Sequence, residues 1–259
     1  MSAAHVEGHG NGYPSAGHRY LSQVGALIDR LSGPTWTSIE TAAELIANSM
    51  LTGGTLHAFG TGHSHMLAEE LFYRAGGLVA VKPILFSGLM LHDGARRSTE
   101  MERLPGLADV LLGDHPVAQG DVLLMASNSG GNVVCVELAR AAQAAGVRVV
   151  AITSLAHATS PQARARGTTK LHEIADVVID NGGVPGDAIL TVAGSTEPVG
   201  PTSTVVGAAI VNAMVAEVVE RMTRAGSPPA LYRSANLAGG DATNAAWEAI
   251  ERAGQGGTA

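Results

Sequence analysis

The sequence predicts an α/β fold built on a flavodoxin-like, doubly wound parallel sheet of five strands. Three observations carry that prediction. Short apolar runs alternate with helical stretches through the middle of the chain, as in a parallel sheet covered on both faces. Two of the runs open into polar loops, Gly60-Thr61-Gly62-His63-Ser64 and Ser127-Asn128-Ser129-Gly130-Gly131-Asn132, and each loop leads into a helical run. With 259 residues, 46% hydrophobic and 15% charged, the chain can bury a large core without a disulfide or metal staple.

Residues 1–17 read as a flexible tail. A helix is expected over 18–31, where Leu21, Val24, Leu27, Ile28 and Leu31 recur at helical spacing. Ser32-Gly33-Pro34 ends it, and Thr35 is placed to cap a second helix over 36–51, with Ile39, Ala42, Ala43, Ile46 and Met50 on one face. Strand one is expected at 55–59, a helix at 63–75 and strand two at 78–85. Strand three, 121–126, leads into a helix at 132–145. Strands four and five follow at 147–152 and 174–179, and a long helix at 203–223. Right-handed crossovers are expected, and a strand order of 2-1-3-4-5 makes strands one and three neighbours. Three stretches, 86–120, 181–201 and 226–244, read as long loops, which are often functional. The organisation expected is one domain over 18–252, without internal repeats, and a second tail over 253–259.

The formal charge of −7 argues against a nucleic-acid partner, and any anionic ligand must be held by local donors. The single cysteine, Cys135, forms no internal disulfide, which fits a reducing compartment. The first 13 residues lack a basic start and an apolar stretch, so no signal peptide is expected and the cytoplasm is the expected location. The apolar run 202–222 contains Asn212, Glu217, Glu220 and Arg221 and reads as a core helix rather than a membrane span.

The two loops suit a phosphate ester. A Gly/Ser loop before a helix offers backbone N–H groups, hydroxyls and a favourable dipole to an anion. Ser64, Ser127 and Ser129, with Thr61, Asn128 and Asn132 and the backbone of Gly60 and Gly62, form the expected seat. A dinucleotide is a poor match: Gly60-x-Gly62 is followed by His65 where a third glycine belongs, and strand two leads into Lys82-Pro83 rather than an acidic residue. No Walker loop occurs either, since no Gly-Lys-Ser/Thr is present.

Together, Gly60-Thr61-Gly62-His63-Ser64 and Ser127-Asn128-Ser129-Gly130 resemble the two signatures of SIS (sugar isomerase) domains. The resemblance covers about residues 35–223 and is nearest the single-domain members. It implies a phosphosugar ligand and a reaction like those of sugar-phosphate isomerases or N-acetylmuramic acid 6-phosphate etherases. The second loop departs from the common Ser-x-Ser-Gly-x-Thr by ending in Asn132, so an amide takes the place of a hydroxyl.

Isomerases and eliminating lyases both remove a proton next to a carbonyl carbon, so a base is needed. Glu70 is the first candidate: it lies roughly 9 Å along the expected helix from Ser64, on a face with Met66, Leu67 and Tyr73. Glu69 stands behind it. A glutamate on this helix serves as base in related enzymes, although the spacing here differs by about one turn. The alternative for Glu70 is a surface pair with Arg74 at i+4. The etherase resemblance points to a second acid after strand two, where Glu100 is preferred and Glu102 is second; a helix laced by Arg–Glu pairs is the plain alternative. His65 or His92 is a candidate proton shuttle, with His63 and His172 also noted. No His-x-x-x-His pair on an expected helix supports a metal, and no cofactor is expected. Tyr232-Arg233-Ser234-Ala235-Asn236 either caps the site or forms a structural wrap.

The expectation is a homodimeric enzyme, or a higher homo-oligomer, acting on an N-acetylated hexosamine 6-phosphate. Abstraction at C2 with elimination at C2–C3 is favoured, with Glu70 as base and Glu100 assisting departure. Aldose–ketose isomerisation, including an isomerising deamination, is the alternative, and a non-catalytic sugar-phosphate sensor is the second.

Overall fold

A computed structural model describes residues 14–255 except 162 and 164–168. Its central sheet contains β1 (Leu56–Gly60), β2 (Val81–Pro83), β3 (Val122–Ala126), β4 (Arg148–Thr153) and β5 (Val177–Asp180), all parallel, in the expected order β2-β1-β3-β4-β5. β1 and β3 run in register from Leu56↔Val122 to Gly60↔Ala126, so the residues before the two loops lie side by side.

Alternate strand residues feed two cores, the period-2 signature of a sheet covered on both faces. Leu56, Ala58, Leu124, Val150 and Ile152 face α1 (Ala16–Leu31), α2 (Trp36–Leu51), α3 (His65–Leu71) and α9 (Ser203–Arg224). Phe59, Leu123, Met125, Val149 and Ala151 face α4 (Ala95–Met101), α5 (Leu107–Asp114), α6 (Val133–Ala144) and α8 (Leu171–Ile174). A short α7 (Leu155–Ala158) follows β4, a hairpin of β6 (Ala188–Leu190) and β7 (Val199–Pro201) precedes α9, and α10 (Gly240–Gln255) ends the described chain.

α9 is the one helix among the described residues long and apolar enough to cross a membrane. Here Val206, Ile210, Val211, Met214 and Val218 are buried in the core beside Ile39, Ala43 and Ile46 of α2. Gly207 lets it approach α3 closely, since a Cβ there would fall 2.5 Å from a Leu67 methyl.

Several expected elements are corrected. The helix expected over 63–75 is a 3-10 turn at Gly62–Ser64 followed by the seven-residue α3. It stops because Phe72 turns extended and Tyr73 enters the left-handed region at φ +46°. Tyr73 therefore leaves the helical face it was expected to share with Glu70, and its ring packs on Tyr232 at 4.8 Å. β2 is shorter than 78–85, because Leu78 and Val79 pair antiparallel with 230–232 instead. The stretches expected as loops at 86–120 and 181–201 contain α4 and α5, and the β6–β7 hairpin. Thr35 does not cap α2 with its side chain; its hydroxyl donates to the Asp180 carbonyl at 3.5 Å. The expected tails fall outside the described residues through residue 13 and from residue 256, while α1 begins inside the first and α10 runs into the second.

Candidate functional site

Because β1 and β3 are neighbours that end level, their loops open into one crevice at the carboxyl edge of the sheet, the switch point of a doubly wound fold. Gly60 makes the first turn possible: a Cβ there would lie 2.3 Å from the Ser64 carbonyl oxygen. Gly62 follows at φ +55°, and the Ser64 N–H donates to the Thr61 carbonyl at 3.0 Å. In the second loop Ser127 Oγ accepts the Gly130 N–H at 3.2 Å, with Gly130 at φ +63°. Asn128 is held by β4 and β5: its carbonyl accepts the Thr153 hydroxyl at 3.2 Å, and its Oδ1 accepts the Asn181 amide at 3.0 Å.

A cavity of about 290 Å³ lies over these loops. That is at the small end of ligand sites and suits a compact polar molecule. Thr61, Gly62 and Ser64 line it from one loop, and Ser127, Asn128, Ser129 and Asn132 from the other. Gly60, also expected in the seat, is not among the lining residues and shapes the loop at its base. A second crevice shares Ser64, Ser127 and Asn128 and adds Ser203 and Thr204 from the start of α9. Beneath the loops, burial pushes the Cys135 thiol up to about 12, as an inert core residue.

Among the described residues one carboxylate lines the cavity, that of Glu102. The Thr61 hydroxyl donates to its Oε2 at 2.8 Å, and the Glu102 carbonyl accepts the Val134 N–H at 3.2 Å, which fixes the end of α4 against the start of α6. Glu100, two residues back and so on the opposite side of α4, is not in the lining; it is largely exposed and accepts from Arg96 Nε at 2.9 Å. The alternation of Arg and Glu made both arrangements legible, but only the helical phase of α4 separates them.

Glu70 also lies outside the cavity lining. It sits near the end of α3, paired with Arg74, and its Oε1 accepts the Asn212 amide of α9 at 2.7 Å. Glu69 is half exposed, 3.4 Å from His65 Nε2. His65 is buried, bonds the Gly62 carbonyl through Nδ1, and meets the His92 ring edge-on at 6.2 Å. It thus braces the first loop from behind. His172 lies on α8 and does not line the cavity, whereas His63 does. Among the described residues no group of three or more His, Cys, Asp or Glu is placed to hold a metal ion.

His157 also lines the cavity, after β4. No motif marks it; the placement of its strand in the sheet brings it here. The Tyr232 segment is a wrap: Tyr232 is buried, its backbone pairs with Gly76 and Gly77, and Asn244 holds both the N–H and the carbonyl of Arg233.

Residues 19–154 match the SIS domain family. A UPF0309 protein of Geobacillus thermodenitrificans (strain NG80-2) is 44% identical over 229 residues, which cover 88% of this chain and 92% of that protein. A UPF0309 protein of Brucella canis is 44% identical over 221 residues, covering 85% and 90%. Among solved structures, phosphoheptose isomerase GmhA from Neisseria gonorrhoeae superposes with a TM-score of 0.50 at 18% identity, covering 78% of this chain and 95% of that one. A proposed phosphosugar isomerase involved in capsule formation from Bacteroides fragilis gives 0.51 at 22% identity, with 80% and 89% covered. These structures share the fold; the sequence relatives carry the kinship, and the chain belongs to the SIS domain family, among its UPF0309 proteins.

Proposed function

We propose that the chain is a sugar-phosphate enzyme whose reaction begins when Glu102 removes the proton from C2 of an open-chain sugar. The observation that carries this reading is that both Gly/Ser loops and the Glu102 carboxylate line one cavity. Neutral hydroxyls and amides there can accept a phosphate without a metal or lysine in the loops. A carboxylate in the same cavity is out of place in a pure phosphate seat and suits a base acting on the carbon chain.

Aldose–ketose isomerisation is the favoured outcome. It needs one carboxylate at carbon: Glu102 takes the C2 proton while O1 gains a proton from solvent, giving the enediol, and the proton then returns to C1 while O2 releases its proton to solvent. Elimination across C2–C3 calls for an acid beside the leaving group as well. Glu70, held by Arg74 and Asn212, and Glu100, paired with Arg96 at the surface, are not offered to the cavity. The phosphosugar isomerases sharing the fold are consistent with this choice. A homodimer belongs to the same proposal: Met66, Phe72 and Tyr73 are each about half exposed around α3, and a second copy would cover them. A cytoplasmic setting is part of it too.

The test is incubation with glucose 6-phosphate, glucosamine 6-phosphate and N-acetylglucosamine 6-phosphate in deuterated water, followed by NMR. Solvent deuterium in a ketose product supports isomerisation, and an alkene or enol signal would show elimination instead. Glu102→Gln should lower turnover by roughly 10²- to 10⁴-fold while retaining sugar-phosphate binding, and Glu100→Gln should leave turnover near wild type. Binding without turnover of any of the three sugars would replace the enzyme with a sensor.

A further inference from the structure

His157 is a cavity side chain that the proposed chemistry does not use. It stands in α7 just beyond β4, beside the loop that follows β3. The Gly186 N–H donates to its Nδ1 at 2.8 Å. A peptide N–H only donates, so Nδ1 carries no proton and the neutral ring bears its hydrogen on Nε2. Burial first, then the nearby Lys170 charge, hold the ring below its ordinary pKa, against a smaller opposing pull from Asp187. The backbone is pinned as well. The His157 N–H donates to Ser154 Oγ at 3.0 Å, and that hydroxyl donates to the Gly183 carbonyl at 2.6 Å. Among the described residues no hydrogen bond is made by Nε2, which leaves its N–H as the ring's free donor in the cavity wall.

We propose that His157 is a ligand-binding residue whose Nε2–H donates to the phosphate of the bound sugar phosphate. It would extend the seat from the second loop to the end of β4. The proposal rests on the phosphosugar reading above and deepens it by fixing which way the ligand lies. Along the carboxyl edge the wall runs from Glu102, after β2, through the loops after β1 and β3, to His157 after β4. Glu102 is held by Thr61 of the first loop, whereas His157 lies beyond the second loop, after β4. A phosphate dianion beside the Glu102 carboxylate is repelled, whereas the far end offers hydroxyls, amides and a neutral imidazole N–H. The phosphate therefore lies toward β3 and β4, and the sugar carbons toward Glu102.

Two substitutions separate ligand binding from a structural role. In His157→Asn the amide oxygen replaces Nδ1, so Gly186 keeps its acceptor and the ligand donor is lost. In His157→Gln the amide nitrogen replaces Nε2–H, so the ligand donor returns and Gly186 loses its partner. Calorimetric titration with glucose 6-phosphate and with inorganic phosphate reads the difference. The expected result is affinity for both probes weakened roughly 10- to 100-fold in His157→Asn, the range of a hydrogen bond to a charged group, and largely restored in His157→Gln. Wild-type affinity in His157→Asn, or equal losses in both variants, would overturn the proposal and leave His157 as a support for the Gly186 turn. A loss confined to glucose 6-phosphate would overturn the assignment of the phosphate to this end. If the unsubstituted protein binds neither probe, the phosphosugar reading itself falls, and this proposal with it.

Discussion

Gly60 shows how one residue controls the site without touching a ligand. Its missing Cβ lets the chain fold back so closely that the Ser64 carbonyl lies where a methyl would stand. Gly60→Ala should therefore displace the first loop, lower stability by about 2 kcal/mol or more and weaken sugar-phosphate binding; calorimetry and thermal melting read both. The loop residues that line the cavity were legible in the sequence because Gly/Ser turns at strand ends are local features. The choice between Glu100 and Glu102 was not, because it depends on which way α4 turns each side chain. The setting of Glu70 was hidden for a related reason: its partners, Arg74 and Asn212, include a residue 142 positions away on α9.

A second residue-scale consequence lies at the other edge of the sheet. His57, 2% exposed, meets Asp121 at 2.9 Å. Desolvation by burial wins over Asp121 and holds the His57 pKa below 6.5. Above about pH 6.5, folded and unfolded rings are both neutral and the contribution to stability is complete. As the pH falls below that value, the unfolded ring takes up a proton that the folded one resists, so stability drops. Thermal melting from neutral pH down to about pH 5.5 should show that decline, with a shallower slope in His57→Gln. A flat wild-type profile would contradict the assignment.

At the scale of elements, the helix that starts beside the site is capped from a distance. Thr202, the residue before α9, makes no side-chain cap. Asp187 does it instead, accepting the N–H groups of Thr202 and Ser203 at 3.0 and 2.9 Å and the Ser203 hydroxyl at 2.6 Å. It does so from the left-handed region, at φ +70°. Asp187→Ala should cost about 1–2 kcal/mol, seen as a lower melting temperature; an unchanged melt would show that the cap contributes nothing. Such a cap, 15 residues upstream, leaves no motif in the sequence. By contrast α2 and α9 were legible almost to their ends, because long amphipathic or apolar periodicity is set by burial of a whole face. The helix after the first loop was read too long because its end is decided by Phe72 and Tyr73 packing with the C-terminal wrap.

For the whole molecule, topology turns two weak local signals into one site. The loops are more than sixty residues apart in sequence, yet the order β2-β1-β3-β4-β5 sets them side by side. That order was legible in advance, as was the meeting of the loops. What topology adds is the wall around them: Glu102 from the segment after β2 and His157 from the turn after β4. Neither is close in sequence to the loops it joins. The site is thus a row of strand ends, along which we propose that a sugar phosphate lies with Glu102 at its carbon end. The most direct test is a crystal structure of the protein with the hexose 6-phosphate it binds most tightly. Phosphate oxygens are expected within hydrogen-bond distance of Ser64, Ser127 or Ser129, with C2 facing Glu102; a phosphate seated away from both loops, or C2 facing Glu70, would overturn that arrangement.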